Sequence, residues 1–262
     1  MDVDAYLARI GIGRPLGPSL RALADLQLAH LLTVPFENLD IVSGVPISLE
    51  REALFDKIVS RNRGGFCYEL NGLFGSLLTE LGYRVTMLSA RTVDDVEGTL
   101  GPEYDHLVLR VDLEEPWLVD VGFGDSVRVP VPLRSDVVLD DPLGRAYRLD
   151  VSGDDWDLTE RPAEAEGDGV VGEPRPDGAW TIKFRFTLIP RTLPDFAATC
   201  RWQETQSPWF TEHRFCSIAR PDGRLTLMDD RLITRSGAER TERPVDEADV
   251  RGVLRDRFGF VL

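Results

Sequence analysis

The hydrophobic pattern of the chain changes near Gly82, and this change limits the possible folds more than any other feature. Before it, apolar residues recur at helical spacing, as in "SLRALADLQLAHLLT", with leucines at 20, 23, 28, 31 and 32. After it come short β-rich segments separated by turn residues, such as "HLVLRVDL" and "WTIKFRFTLI". The sequence therefore predicts an α+β fold with a helical N-terminal part followed by antiparallel strands.

The order of these segments predicts three parts. A helical domain is expected over residues 1–84, an antiparallel barrel or sandwich over 85–189 and a mixed domain over 190–262. The last domain ends in "DEADVRGVLRDRFGF", which has the acidic first turn of a helix. Residues 161–178 are polar and rich in glycine and proline, which predicts an exposed loop.

The charge of the chain excludes some classes of partner. It has 30 basic and 45 acidic residues, a formal net charge of −15, which argues against nucleic acid and anionic membranes as partners. No apolar run approaches the roughly 20 residues that span a bilayer. The N-terminal "MDVDAYLARIG" lacks the layout of a signal peptide, so we expect a soluble cytoplasmic protein.

The cysteines and histidines are few. Cys67, Cys200 and Cys216 are odd in number and widely spaced, which disfavours a disulfide framework. The sequence has no C-x-x-C or H-E-x-x-H pair, so no metal site is predicted. A catalytic pair of cysteine and histidine can therefore be drawn from only a few candidates.

Cys67 has the most informative surroundings. Gly64 and Gly65 precede it, and an amphipathic run at helical spacing follows it. This predicts Cys67 in the first turn of a buried helix, where unpaired N–H groups and the dipole lower a thiol pKa. Either a nucleophile or an inert buried cysteine fits this position, whereas Cys200 and Cys216 have the pattern of structural cysteines.

His106 and Asp120 are the predicted partners of this thiol. They lie in two strand segments that form a hairpin, and folding about Leu113 would place them opposite each other. Asp120 stands among apolar residues, and a buried carboxylate needs a partner. His30 is expected to be structural or exposed, and His213 is a weaker second candidate for the base.

These three residues predict a Cys–His–Asp triad. The histidine would take the thiol proton or hold the thiolate as an ion pair, and the acid would fix the tautomer of the imidazole. The thiolate would then attack an acyl carbon, with nearby backbone N–H groups stabilising the oxyanion. The residues alone do not identify the acyl acceptor.

Three motifs together resemble those of the arylamine N-acetyltransferases. They are "PFENLD" at 35–40, "RGGFCYELNGL" at 63–73 and "LVDVGFG" at 118–124. His106 begins a predicted strand between the second and the third of these motifs. The resemblance covers essentially the whole chain. It implies a helical domain and a β-barrel forming a cysteine-protease-like core, and an α/β lid as the third domain.

The same resemblance implies the reaction. Members of the family move an acetyl group from acetyl-CoA through a cysteine thioester to an arylamine, arylhydrazine or N-hydroxyarylamine, by a ping-pong route and without a metal or a permanently bound cofactor. The expected partners are thus an acyl-CoA and a small amine, and a role in xenobiotic metabolism is expected.

Further site residues follow from the resemblance. The acceptor pocket is expected at Phe36, Phe123 and Phe210, although core packing is the commoner role of phenylalanine. Coenzyme A contacts are expected at Gly122, Gly124 and Ser126. Asp125 departs from the expected pattern, because a carboxylate near the cofactor entry would oppose an anionic cofactor.

Other functions remain open at this stage. A macrolactam-forming amide synthase, which takes its acyl chain from an acyl carrier protein, is similar in fold and triad. A thiol hydrolase would use water as acceptor on a similar core. A non-catalytic binding protein is disfavoured by the intact cysteine, histidine and aspartate.

Overall fold

The computed structural model describes residues 1–93, 98–141, 143–162, 179–237 and 239–261. Most of the predicted exposed loop, residues 163–178, lies outside the described residues. Within them, no helix is long and apolar enough to cross a membrane.

Helices occupy most of the first eighty residues and recur near the C-terminus. Their bounds are α1 (Val3–Arg9), α2 (Leu20–Thr33), α3 (Leu39–Val42), α4 (Arg51–Phe55), α5 (Cys67–Glu80), α6 (Ala197–Thr205), α7 (Pro208–Glu212) and α8 (Glu247–Phe258). A π-helical turn, Asp56–Ser60, extends α4, and a 3-10 turn, Leu193–Phe196, leads into α6.

Strands follow α5, with one exception, the short β1. Their bounds are β1 (Phe36–Glu37), β2 (Arg84–Thr92), β3 (His106–Asp112), β4 (Pro116–Val119), β5 (Val131–Pro132), β6 (Val138–Asp140), β7 (Ala146–Ser152), β8 (Asp155–Arg161), β9 (Thr181–Arg191), β10 (Phe215–Arg220), β11 (Gly223–Met228), β12 (Arg231–Ser236) and β13 (Glu239–Pro244).

The change of period at Gly82 marks the change from helix to strand. Helix α5 ends at Glu80, and Gly82 has a φ of +89°, a conformation that glycine adopts without a steric penalty. The N–H of Tyr83 donates a hydrogen bond to the carbonyl of Leu78, and β2 begins at Arg84. The change from helix to strand thus falls where the hydrophobic pattern changes.

The central strands form an eight-stranded antiparallel sheet in the order β5-β4-β3-β2-β9-β8-β7-β6. The sheet curls into a near-closed barrel, which decides between the predicted barrel and sandwich. Its long strand β9 continues to Arg191.

The C-terminal strands form a second sheet, in the order β1-β10-β11-β12-β13, covered by α8. Strand β1 comes from the N-terminal region, and Phe36 pairs with Ser217 of β10. The described residues thus have the predicted order of helices, barrel, and C-terminal sheet with helix. The proposed boundaries at 84/85 and 189/190 stay a prediction.

Helix α5 lies between the helical region and the barrel. Its side chains are buried along nearly its whole length, and they share one apolar core with α1, α2 and the inner face of β3. A separate core fills the barrel, around Leu158 and Phe184. The N-terminus of α5 and the start of β3 therefore meet where the two cores adjoin.

Candidate active site

Cys67 is the first residue of α5, as the glycine pair and the apolar stripe predict. Phe66 before it has extended backbone, and its N–H donates to Glu69 Oε2 at 3.1 Å. The Cys67 side chain is buried, with only 4% of the residue exposed. The thiol therefore lies among the N–H groups of the first helical turn, which have no intrahelical acceptor.

A buried lysine holds this helix start in place. Lys57 Nζ lies 2.8 Å from Glu69 Oε1 and 2.8 Å from Asp40 Oδ2, and all three side chains are shielded from solvent. Lys57 belongs to the π-helical turn after α4, a distortion that often occurs at functional sites. The sequence analysis missed this cluster, because a helical pattern does not reveal where a π turn directs a side chain.

His106 and Asp120 form a buried pair. His106 Nε2 lies 2.7 Å from Asp120 Oδ2. The other carboxylate oxygen, Oδ1, accepts from Asn71 Nδ2 at 2.8 Å and from the Gly122 N–H at 2.7 Å. Both oxygens of Asp120 thus have partners, as a buried carboxylate requires, and the imidazole is held at one ring nitrogen.

The predicted hairpin register is wrong by two residues. Strands β3 and β4 pair Asp112 with Pro116 and Leu109 with Val119, so the hairpin is centred on Glu114 rather than Leu113. Because the shift is even, it leaves His106 and Asp120 on the same face of the sheet. They meet diagonally just where β4 ends, which explains why the predicted contact exists despite the wrong register.

Three contacts bring Cys67 to this pair. The Leu107 N–H lies beside the Cys67 thiol, where it acts to lower the thiol pKa. A Cβ on Gly122 would lie 2.8 Å from the Cys67 Cα, so only glycine allows this close approach. Asn71, one helical turn after Cys67, also donates to the Leu107 carbonyl at 2.7 Å. The structure therefore places Cys67 against Leu107 and Gly122, the near neighbours of His106 and Asp120.

The electrostatics at Cys67 differ from the prediction. Burial raises the pKa of the thiol well above its usual range, and the carboxylates of Asp105 and Asp120 add to this, against a lowering by the Leu107 N–H. A helix start was expected to lower the pKa, but desolvation outweighs it here. A protonated His106 imidazole is the cation that would favour the thiolate.

The three predicted pocket phenylalanines border this centre. Phe123 packs edge-on against the His106 ring, with the two centroids 5.3 Å apart. Phe36 forms an isolated parallel β-bridge with Gly65, which lies two residues before Cys67. Phe210 packs on Phe66 with a centroid distance of 5.6 Å. Each is partly buried and packs against one of the two cores.

The segment after Asp120 carries the residues predicted to contact coenzyme A. The Gly122 N–H is already bonded to Asp120, and Gly124 has a φ of +92°. The Ser126 hydroxyl is buried without a partner among the described groups. Asp125 lies 3.0 Å from Arg145 Nη1 and 3.3 Å from Arg224 Nε, so its charge is neutralised rather than directed at a ligand.

The remaining candidates lie elsewhere. His30 is fully buried against the Tyr6 hydroxyl, and burial lowers its pKa to about 3. His213 pairs with Asp229 in a half-exposed position. Cys200 and Cys216 are buried free thiols. Among the described residues, no cluster of histidine, cysteine and acidic side chains has the arrangement of a metal site.

Comparison with known proteins identifies the family. Residues 19–262 match the protein-family model described as N-acetyltransferase. The chain is 37% identical to the arylamine N-acetyltransferase of Mycolicibacterium smegmatis, over 100% of this chain and 93% of that protein. It is 31% identical to arylamine N-acetyltransferase 1 of Homo sapiens, over 100% and 95% of the two chains. The chain belongs to the arylamine N-acetyltransferase family.

A solved structure supports the same assignment. The arylamine N-acetyltransferase of Mycobacterium marinum in complex with CoA superposes with a TM-score of 0.85 at 34% identity, covering 99% of this chain and 93% of that one. The predicted family and fold class are thus confirmed. So are the predicted enzyme class, an arylamine N-acetyltransferase, and acetyl-CoA as its donor.

Proposed function

We propose that this enzyme carries the acetyl group on Cys67, with His106 as the proton carrier and Asp120 as its positioning residue. The observation that supports this most strongly is the buried His106–Asp120 pair at 2.7 Å beside the helix start that holds Cys67. Asp120 fixes the imidazole through Nε2, so that Nδ1 can exchange a proton with the thiol.

In the first half-reaction, the Cys67 sulfur attacks the carbonyl carbon of acetyl-CoA. The thiol proton moves to His106 Nδ1, either before the attack or during it. The N–H groups of the first turn of α5 stabilise the negative oxygen of the tetrahedral intermediate. The bond to the CoA sulfur then breaks, the CoA thiolate takes a proton from His106, and the acetyl group stays on Cys67.

In the second half-reaction, the amino nitrogen of the arylamine attacks the thioester carbon. His106 takes a proton from the nitrogen, and the carbon–sulfur bond breaks to restore Cys67. Phe36, Phe123 and Phe210 form the apolar walls that hold the acceptor ring. Because the thiol is almost fully buried, water reaches the thioester less easily than a bound amine does.

The donor end of the site is proposed around Gly122, Gly124 and Ser126. The unpartnered Ser126 hydroxyl is a group that a ligand would satisfy. The ion pairs of Asp125 remove the objection that its carboxylate repels an anionic donor. A carrier-bound donor gains no support from the comparisons. Three free thiols fit the reducing cytoplasm that we propose as the location.

Intact-mass measurement tests this proposal. Incubation with acetyl-CoA should add one acetyl group, and a following incubation with 4-methylaniline should remove it. Cys67→Ser should abolish the thioester, because the nucleophile is gone. Cys200→Ser and Cys216→Ser remove equally buried thiols and serve as matched controls that should still be labelled.

Each contrary outcome identifies a different function. Rapid loss of the label in water alone would indicate a hydrolase. Labelling by an acyl carrier protein but not by acetyl-CoA would indicate a carrier-bound donor. A stable label that persists in Cys67→Ser would disprove the assignment of the nucleophile.

A further inference from the structure

Lys183 occupies an unusual position beside the proposed acceptor pocket. Strands β8 and β9 pair Leu158 with Phe184 and Thr159 with Ile182, so the register shifts at this point and Lys183 has no partner on β8. A β-bulge of this kind redirects a side chain and often lies next to an active site. In a regular strand, Lys183 would point away from the barrel core that buries Phe184.

The Lys183 side chain lies at the Phe123 ring. Lys183 Nζ lies 5.4 Å from the centroid of the Phe123 ring, within the range of a cation–π contact. Phe123 is the same ring that packs edge-on against His106. The Lys183 side chain remains 19% exposed, so it is not fully enclosed by the protein.

Glu160 only partly neutralises this ammonium. Its Oε2 lies 3.3 Å from Lys183 Nζ, while its Oε1 lies 3.3 Å from both Arg145 and the Tyr147 hydroxyl. One carboxylate is therefore shared between two cations.

Lys183 also belongs to a group of charged side chains around Asp125. Among the described residues, Arg145 and Arg224 pair with Asp125, and the Lys183 ammonium adds to the charges that lower the pKa of Asp125. Lys183 is the member of this group that lies at the Phe123 ring.

We propose that Lys183 binds a carboxylate on the acceptor ring, so that this enzyme prefers arylamines bearing an acidic substituent. The inference rests on the proposed function, because it assumes that the acceptor ring packs on Phe123 with its amine at His106. A carboxylate at Lys183 would form a charge-assisted hydrogen bond in a partly desolvated place. Glu160 keeps the lysine ordered for this contact.

The test compares two acceptors on preformed acetyl-enzyme. The donor is p-nitrophenyl acetate, which is uncharged, so that effects on CoA binding do not enter. The acceptors are 4-aminobenzoate and 4-methylaniline, and the measured quantity is kcat/KM for each. The variants are Lys183→Met and Lys183→Arg, together with Arg185→Met. Arg185 is the matched control, since it loses the same charge on the same strand but pairs with Asp157.

Lys183→Met should lower kcat/KM for 4-aminobenzoate about tenfold, the effect of losing one hydrogen bond to a charged group. It should leave 4-methylaniline within about twofold, and Lys183→Arg should retain the preference. Arg185→Met should change neither. The ratio of kcat/KM for 4-aminobenzoate to kcat/KM for 4-methylaniline is compared between each variant and the wild type. This comparison cancels the difference in intrinsic reactivity between the two amines.

An equal loss for both acceptors, or no change in their ratio, would overturn the proposal and leave Lys183 as a structural partner of Glu160. If Lys183→Met does not fold, the wild type still gives an answer. Its preference for 4-aminobenzoate over 4-methylaniline should fall as salt is added, and a preference independent of salt would also overturn it. Failure to form acetyl-enzyme at all would instead disprove the proposed function.

Discussion

The described part of the chain contains two pairs of histidine and aspartate, and their environments differ sharply. His106 and Asp120 are 2.7 Å apart with side chains 3% and 1% exposed, whereas His213 and Asp229 are 2.9 Å apart with both side chains 44% exposed. The distance within each pair therefore does not distinguish the two pairs. They differ in how deeply they are buried and in the groups that contact the aspartate.

The buried pair is embedded in a fixed network. Asp120 also accepts from Asn71 and from the Gly122 N–H, and both donors lie against Cys67. Asp229 also accepts the Arg214 N–H, but it lies at a turn in contact with solvent. A charge in water is screened, and one in a dry site is screened much less, so the buried pair suits the proposed action on a thiol better than the exposed pair does.

The largest expected effect comes from comparing two separate variants, each of which neutralises the aspartate of one pair. Asp120→Asn should reduce kcat on the order of 10³–10⁴, by analogy with the triad acid of serine proteases, because the imidazole loses its orienting charge. Asp229→Asn should leave kcat within about twofold and cost less than about 1 kcal/mol of unfolding free energy, as exposed ion pairs contribute little. Steady-state kinetics and denaturant unfolding measure the two quantities.

Asp229→Asn is a mild change for a second reason. Asp229 has a φ of +51°, and asparagine tolerates this left-handed conformation well. Comparable losses of kcat in the two variants would break the distinction between the pairs. Near-wild-type activity in a folded Asp120→Asn would reject the role of Asp120.

The second prediction concerns the pH at which Cys67 reacts with iodoacetamide. A protonated His106 should keep the thiolate populated, so alkylation stays fast below the free-thiol pKa of about 8.5. In His106→Ala that cation is lost, while burial and Asp105 still raise the pKa. The profile should therefore move to higher pH, and at pH 6.5 the rate should fall about a hundredfold, which corresponds to two pKa units. His213→Ala should leave the profile unchanged.

This measurement needs a background in which only one thiol reacts. Cys200→Ser combined with Cys216→Ser provides it, with circular dichroism recorded at each pH to confirm folding. If the profiles of wild type and His106→Ala coincide near or above the free-thiol pKa, no ion pair exists. His106 would then act only as a general base during the attack.

The third and smallest expected effect tests the support of the buried pair. Asn71→Ala removes the donor to Asp120 Oδ1 and leaves the Val121 N–H without its acceptor. Loss of these contacts should lower kcat about tenfold to hundredfold, with little change in KM, because Asn71 is fully buried beside Asp120. Both half-reactions should slow, since each uses His106, and rapid-quench measurements separate them. A change in KM alone would contradict a positioning role.

Local sequence was sufficient to predict the elements that carry the site. The paired glycines and the apolar stripe placed Cys67 at a helix start, and the change of period at Gly82 separated helices from strands. The contact between His106 and Asp120 was also predicted, although about the wrong turn residue. That prediction survived because side chains alternate with a period of two, so an even error in register preserves the face.

Other features of the site depend on distant parts of the chain. Lys57 meets Glu69 only because a π turn redirects it, and Lys183 meets Phe123 only because of a bulge in β9. The raised pKa of Cys67 follows from how completely the two cores enclose it, which no pattern of neighbours in sequence reports.

The sequence by itself determined the order of helices and strands, the family and the three residues proposed to react, because these depend on residue types and short-range spacing. The tertiary structure decided how deeply each histidine is buried, where Asp125 finds its arginines and which cation lies at the Phe123 ring. Burial and charge pairing are sums over side chains brought together from remote segments, and their energies depend on distance and solvent access. Those two quantities exist only once the chain has folded.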